Sequence, residues 1–547
     1  MLKVLKYVAL SVITLIVLLV IAVVIMQRLD AQIDYDVSTD GIDIPTFSAT
    51  DIPYDQSHDN STTLPFAASG VIDIDGDGIE ELFLGGSRSQ QDGLFRFVDG
   101  EFIAVPNSGI NKADGEASHG SIVLDVDKDG DDDLLVARTD GIWLHVNEAG
   151  KFSNQLLDAA MPDGTTALGI GVSDINRDGH FDMYVGGYIR KDLVEGQNIF
   201  NRPNYGGSSQ MFLNSGDNTF TNITKASGLE YRHNTFFGIF VDVDQDSFED
   251  LVVVHDTGQV RTWKNNGDLT FTNMPNPNSD FNSYPMGIAV GDYDNSGTVD
   301  FFFSNVGSTP PGFLIRGDTT DEQTTHWKWI LFRNERGFQF SDQAEAAKLA
   351  DYEFSWGAVF EDMNLDGRED LIVSENYVGL PVHNFAFLRA PGRFLIQNSS
   401  GEFAAVGETA GVINRRYSIA PVTADFNGDG RPDVVHVNIA GRSQAFISRP
   451  GASNGLKVML DNRVESVGAK VSLTLANGET RTKWFIRGEG LSSDSSPVLI
   501  FGLGDQMADR ITVDYLAGED ISVDGPFDDG VADLRTGASE VSNPANE

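Results

Sequence analysis

The 547-residue chain contains no cysteine. That excludes disulfides, thiolate metal sites and thiol nucleophiles, and it carries no information against an oxidising compartment. Positive charge is scarce as well: 38 Lys and Arg stand against 81 Asp and Glu, for a formal net charge of −43. Phosphate recognition depends on clustered cations, so no nucleic-acid partner is expected, and docking onto anionic lipid is disfavoured for the same reason. Also absent are H-E-x-x-H and the P-loop; Gly169-Ile-Gly171 lacks the third glycine of a dinucleotide-binding turn. No catalytic residue set is assigned.

What the chain does have is a nine-residue acidic loop, D-x-[DN]-x-[DS]-G-x-x-[DE], written seven times between short apolar runs, once with Ser in place of the Gly. In the first copy Asp73, Asp75, Asp77 and Glu81 occupy positions 1, 3, 5 and 9, and Ile79 offers its carbonyl at position 7. The second has Asp125, Asp127, Asp129 and Asp133 with Asp131; the third has Asp174, Asn176, Asp178 and Asp182 with His180. The fourth has Asp242, Asp244, Asp246 and Asp250 with Phe248; the fifth has Asp292, Asp294, Ser296 and Asp300 with Thr298. The sixth has Asp362, Asn364, Asp366 and Asp370 with Arg368; the seventh has Asp425, Asn427, Asp429 and Asp433 with Arg431.

An all-oxygen donor set of this kind suits Ca²⁺, up to seven ions in all, and suits Mg²⁺ less because Mg²⁺ demands octahedral geometry and keeps its waters. An EF-hand would need a Glu at position 12 and flanking helices. Position 12 is Leu84, Val136, Val185, Val253, Phe303, Val373 and His436, and the flanks are short β-type runs. Each loop therefore reads as a metal-closed β-hairpin. Ligand charge differs between copies, and the fourth carries Ser247 at position 6, where the turn calls for positive φ and prefers Gly.

Successive loops start 52, 49, 68, 50, 70 and 63 residues apart. A repeat of this order built on four strands is the signature of a propeller. A second element recurs in phase, an Asn-led Gly turn followed by Phe, as in Asn147 to Phe152, Asn214 to Phe220, Asn265 to Phe271, Asn334 to Phe340 and Asn398 to Phe403. It reads as the hairpin between the third and fourth strands. The seventh unit lacks it, and residues 45–50 resemble a fourth strand, so they are expected to complete the last blade and close the ring, removing its exposed edges.

On these motifs the repeats resemble FG-GAP/VCBS repeats, the calcium-loop blades of integrin α-subunit propellers. Residues 454–518, with Gly468, Ala469, Gly490, the run Phe501 to Gly504, the run Ile511 to Tyr515 and Gly518, resemble the ASPIC/UnbV domain of the cartilage acidic protein 1 family. Tyr515 and Leu516 stand where that family usually has Trp-Pro. The resemblance implies an all-β protein: a seven-bladed β-propeller over 43–450 with calcium-binding hairpin loops, then a small β-sandwich-like domain over 451–518. It implies calcium binding and extracellular interaction, and brings no catalytic residues with it. The acidic, small-residue-rich stretch 519–547 reads as a disordered tail.

Residues 7–26 carry no charge, enough to span a bilayer as a helix, and Lys3 and Lys6 precede them. A cleaved signal peptide would have a shorter apolar core of about 7–15 residues and a small-x-small exit. The expectation is an uncleaved transmembrane signal anchor: 1–6 cytoplasmic, 27–42 a stalk, and the bulk of a single-pass membrane protein periplasmic or extracellular.

The ligand face is expected opposite the calcium loops, where the 2–3 and 4–1 connections meet and long insertions fall. They bring His119, Arg190, Tyr205, His233, Trp327, Trp356, His383, Arg415 and Arg416, aromatic and basic residues suited to an extracellular glycan or protein ligand. The functional expectation is a binding or adhesion module. The alternative is a calcium-dependent extracellular polysaccharide lyase or hydrolase, with His119, His233, His326, His383, Arg415 and Arg416 as its one plausible acid/base group.

Overall fold

The computed structural model describes residues 2–30, 35–57, 64–113, 115–193, 206–307, 324–376 and 390–536. Apolar residues flank each acidic loop on both sides, and the paired runs bury both faces, as in Ser118–Leu124 and Asp133–Arg138, where every position is buried. Such runs need neighbours above and below. They find them in a set of antiparallel four-strand meanders, seven among the described residues, packed as propeller-like blades.

The second blade shows the pattern: Ser118–Leu124, Asp133–Arg138, Gly141–Asn147 and Phe152–Leu156 in sequential order, with its acidic loop joining the first two strands. Because neighbours run antiparallel, the 1–2 and 3–4 hairpins lie at one end of every blade and the 2–3 and 4–1 connections at the other. First strands of adjacent blades pack together, Ser69–Ile72 against both Ser118–Leu124 and Ser418–Ala424, so they line the centre. The last blade is completed by Phe47–Gln56, antiparallel to Gly441–Ser448 with Phe47 opposite Ser448, which joins the two ends of the repeat region as the sequence suggested.

The small domain has one sheet of Leu499–Gly504, Asn454–Met459 and Gly530–Asp533, and another of Thr480–Trp484, Lys470–Leu475, Ala508–Asp514 and Ile521–Phe527. Leu456, Leu473, Phe501, Ile511 and Phe527 share a core that continues into Ile122 and Ile170 of the ring. From this domain residues 487–496 enter the centre of the ring. Ser493–Asp494 pairs in parallel with Ser69–Ile72. Gly490 exchanges backbone hydrogen bonds with Ile288 at 2.8 and 2.9 Å, and the Ser496 N–H donates to the Thr423 carbonyl at 2.9 Å. Gly120 is required beside this plug, since a Cβ there would stand 2.4 Å from the Leu168 carbonyl oxygen and 3.0 Å from the Ser492 Cβ. Arg487 and Asp494, each almost wholly buried, form an ion pair inside the segment, and Asp494 Oδ2 accepts from the Val123 N–H at 2.7 Å.

Three expectations are corrected. Residues 7–26 fall within a helix, Leu2–Asp30, but among the described residues no helix is long and apolar enough to cross a membrane. The signal anchor, the membrane as a partner and the single-pass placement of the chain are therefore withdrawn. Part of the stalk is not a stalk: Tyr35 meets Tyr352 edge-on at 5.7 Å and its hydroxyl donates to Asp351 at 2.8 Å, while Val37 and Ile42 pack on the ring. The tail read as disordered from residue 519 instead supplies Ile521–Phe527 and Gly530–Asp533, because Ile521, Val523, Phe527 and Ala532 complete the small domain's core.

Candidate metal centres and ligand face

The loops follow one hydrogen-bond scheme, from which the first two depart at position 1, where Asp73 accepts from Gly76 and Gly78 and Asp125 accepts from Gly130, and the first and fifth depart at position 9, where Glu81 meets Arg96 and Asp300 Oδ2 has no partner. The position-1 carboxylate accepts from the N–H groups at positions 5 and 6, as Asp425 does from Asp429 and Gly430 at 2.9 and 2.8 Å and Asp174 does from Asp178 and Gly179 at 3.0 and 2.8 Å. The position-9 carboxylate turns one oxygen to the N–H at position 2 and the other to the end of the third strand; Asp182, for example, accepts from Ile175 at 3.1 Å and Asn214 at 2.8 Å. The N–H of position 7 donates to the position-5 side chain, at 2.8 Å for Ile79 to Asp77 and 3.0 Å for Arg431 to Asp429. Residues 1, 5 and 9 are thus fixed by backbone, which is how a flexible acidic stretch becomes a preformed cage.

Position 6 is left-handed in every copy, including Ser247 at φ +74. So is position 4, at Gly76, Lys128, Arg177, Gln245, Asn295, Leu365 and Gly428. Sequence reading missed this second turn because five of those seven residues are not glycine.

In the first, second, fourth and fifth loops, oxygens of three carboxylates converge within 4.8 Å: Asp73, Asp75 and Asp77; Asp125, Asp127 and Asp133; Asp242, Asp244 and Asp246; Asp292, Asp294 and Asp300. Burial pushes the position-9 carboxyls up, Asp133 to about 7, Asp182, Asp250 and Asp433 to about 8, and Asp300 to about 9. Asp292 at position 1 rises to about 7 for the same reason. Three buried oxygens, Asp125 Oδ1, Asp244 Oδ1 and Asp300 Oδ2, have no hydrogen-bond partner. Crowded, desolvated and unpartnered carboxylate oxygens are what a hard divalent cation relieves.

Nearby cations partly balance the loops. Arg96 pairs with Asp75 at 2.6 Å and also with Glu81; Lys264 pairs with Asp244 and, at 2.5 Å, with Asp246; Arg333 meets Asp294 at 2.5 Å. All three stand on third strands. The small domain contributes more: Arg463 to Asp125, Lys457 to Asp425, Lys483 to Glu361 and Glu369, and Lys470 to the Gly297 carbonyl at 2.9 Å. Glu80, Asp132, Glu249 and Glu369, at position 8, are buried toward this junction, and burial holds Glu80 and Glu249 at about 8. Their sequence signal was the first acid of each Glu-Glu, Asp-Asp or Glu-Asp pair that ends the loop.

On the opposite face the expected ring of ligand residues is only partly assembled. His119 and Trp356 are corrected to packing residues, 2% and 7% exposed, because both stand on innermost strands; the Trp356 indole donates to the Asn376 carbonyl at 3.2 Å. Phe66 fills the mouth, 5.5 Å from Phe236, 6.1 Å from Trp356 and 6.3 Å from Tyr188. His233 packs on His255 at 4.8 Å, and burial pushes its imidazole down to about 4. His326 packs against Phe281 at 5.8 Å. Trp327 and Arg416 are half-buried, Arg190 and Arg415 exposed. Arg190 pairs with Asp192 at 2.7 Å, Arg415 with Glu408 at 3.4 Å and Arg416 with Asp51 at 2.8 Å. Tyr205 and His383 lie outside the described residues.

Both halves of this architecture match known families. FG-GAP-like repeats match residues 73–136, 125–185 and 242–303, and the ASPIC and UnbV domain matches residues 461–524. The chain is a protein of FG-GAP-like repeats followed by an ASPIC and UnbV domain. In particular it is similar to cartilage acidic protein 1 of Homo sapiens, 23% identical over 323 residues, or 56% of this chain and 46% of the relative. The Mus musculus protein of that name is 23% identical over 336 residues, 56% of this chain and 47% of the relative. The chain spans about half the length of the curated relatives it matches. Among solved structures it is similar to BBS1N in complex with ARL6DN, at TM-score 0.42 and 10% identity, covering 71% of this chain and 94% of that one. It is also similar to the exotype rhamnogalacturonan lyase YesX, at TM-score 0.39 and 14% identity over 73% and 76%. A third likeness is to an Agrocybe aegerita lectin recognising non-reducing terminal N-acetylglucosamine, at TM-score 0.36 and 16% identity over 71% and 87%.

Proposed function

We propose that this chain is a seven-bladed propeller whose acidic loops bind Ca²⁺, and that it serves as a binding module for a glycan or a protein ligand. The observation that carries the calcium reading is the repeated cage with its unpartnered buried oxygens, Asp125 Oδ1, Asp244 Oδ1 and Asp300 Oδ2. Calcium closes the hairpins and stiffens the ring; it takes part in no chemistry. Because the small domain sits on the loop face, ligand recognition falls to the opposite face, where Trp327 offers a half-buried indole for stacking and Arg190, Arg415 and Arg416 offer guanidinium donors.

The test is a glycan array probed with the full chain in calcium and again in EDTA, with Trp327→Ala and Arg415→Ala variants alongside. Calcium-dependent retention lost in either variant is the expected result. A blank array together with capture of a defined protein ligand assigns the face to protein recognition. Shortened or unsaturated products from a polysaccharide would overturn the binding-module reading in favour of a lyase or hydrolase.

A further inference from the structure

The small domain contacts the loop face with cations, and at two loops it reaches the position-1 ligand itself. Arg463 Nε donates to Asp125 Oδ2 at 3.0 Å, the oxygen that also accepts from the Gly130 N–H at 3.2 Å. Lys457 Nζ takes the matching oxygen of the seventh loop, Asp425 Oδ2, already held by the Gly430 N–H at 2.8 Å. In both cases the cation engages the outer oxygen and leaves Oδ1 to the loop. Asp125 Oδ1 is buried and unpartnered, and Asp425 Oδ1 accepts from the Asp429 N–H. The two carboxylates are 5% and 4% exposed. Among the described residues, no other position-1 carboxylate has an ion pair with the small domain.

The same stretch of small domain is fastened to these loops through backbone. The Asp125 N–H donates to the Asn462 carbonyl at 2.6 Å, Arg463 Nη2 donates to the Lys128 carbonyl at 3.3 Å, and Arg431 Nη2 donates to the Ser453 carbonyl at 2.6 Å. From here the chain runs on to the plug at 487–496.

We propose that the small domain completes the cation sites of the second and seventh loops, with Arg463 and Lys457 as positioning residues for Asp125 and Asp425. Cation occupancy at these two loops and seating of the plug are then thermodynamically linked. This rests on the calcium reading above. A group that holds the far oxygen of a metal-ligating carboxylate fixes its orientation, and losing such a partner typically weakens metal affinity by about 10–100-fold. Linkage is reciprocal: if the docked domain favours the cation, the cation favours docking by the same factor. The first, fourth and fifth loops, balanced by Arg96, Lys264 and Arg333 from their own blades, serve as internal controls.

The experiment compares the full wild-type chain with an Arg463→Gln/Lys457→Gln double variant and its conservative counterpart, Arg463→Lys/Lys457→Arg. Calcium binding is followed by equilibrium dialysis, and deuterium uptake of residues 487–496 is read with and without calcium; circular dichroism confirms that each variant is folded. The expected result is two ions weakened about 10-fold in the Gln variant, recovery in the conservative one, and plug protection in the wild type that falls on calcium removal. Unchanged affinities with a calcium-insensitive plug would overturn the proposal alone. So would tighter binding in the Gln variant, which would make Lys457 and Arg463 competitors of the cation. A wild-type chain that binds no calcium would overturn the underlying reading as well.

Discussion

The two faces of the ring are built by different rules. On the loop face one backbone scheme recurs with small departures, the position-1 and position-5 side chains held by N–H groups two to five residues away, and a second domain seals the result. On the opposite face the connections differ from blade to blade, and side chains meet across blades, as Phe66 meets Phe236, Trp356 and Tyr188. A face made by local geometry stores charge at fixed points. A face made by distant packing stores shape, and that is where specificity can vary without disturbing the scaffold.

The largest way to break this contrast is to remove the calcium proposed above. Chelation with EDTA is expected to lower the melting temperature by about 10 °C or more, since each site filled well above its dissociation constant contributes on the order of 2–3 kcal/mol. Thermal denaturation in calcium and in EDTA measures it, and identical curves would count against the cages. Next comes the seal between the faces. Asp494→Ala strands the buried Arg487 guanidinium in the ring's centre and is expected to cost about 3 kcal/mol in urea unfolding.

The histidines sharpen the contrast by pH. Burial pushes His145 and His436 down to about 4, so in the fold they bind protons less readily than an unfolded chain does. Their contribution to stability is full above the unfolded value of about 6.5 and is lost as pH falls toward 4. NMR titration should find both imidazoles still neutral at pH 5. Ser247→Gly, at φ +74 in the fourth loop, should stabilise the protein by about 1 kcal/mol by relieving a left-handed serine. Smallest of all, Arg415→Ala on the exposed opposite face should shift stability by less than about 0.5 kcal/mol while abolishing ligand retention.

These differences track what the sequence made legible. The propeller, its hairpins and the closing strand near residue 47 follow from motifs whose spacing is fixed by backbone geometry, so they can be read without neighbours. The turns of the acidic loops are legible for the same reason, position by position. The position-4 turns were hidden because Lys128, Arg177, Gln245 and Leu365 are not turn formers by type and adopt positive φ only when the loop closes. His119 and Trp356 looked like ligand residues because they begin strands near the connections; their burial depends on which strands line the centre, a non-local fact. Likewise the plug at 487–496 and the cations Lys457 and Arg463 carry no local signature, since their meaning comes from a partner more than 300 residues away for Arg463 and Asp125. The strands beyond residue 519 were obscured by acidic residues alternating with Ile521 and Val523, the mark of a half-exposed edge.

The most direct test of the calcium cages is the stoichiometry of tightly held calcium on the full chain, measured by atomic emission after dialysis against low calcium. Several ions per chain, up to seven, are expected, with loss of melting temperature in step with their removal. A chain that emerges metal-free yet melts unchanged would contradict the central claim.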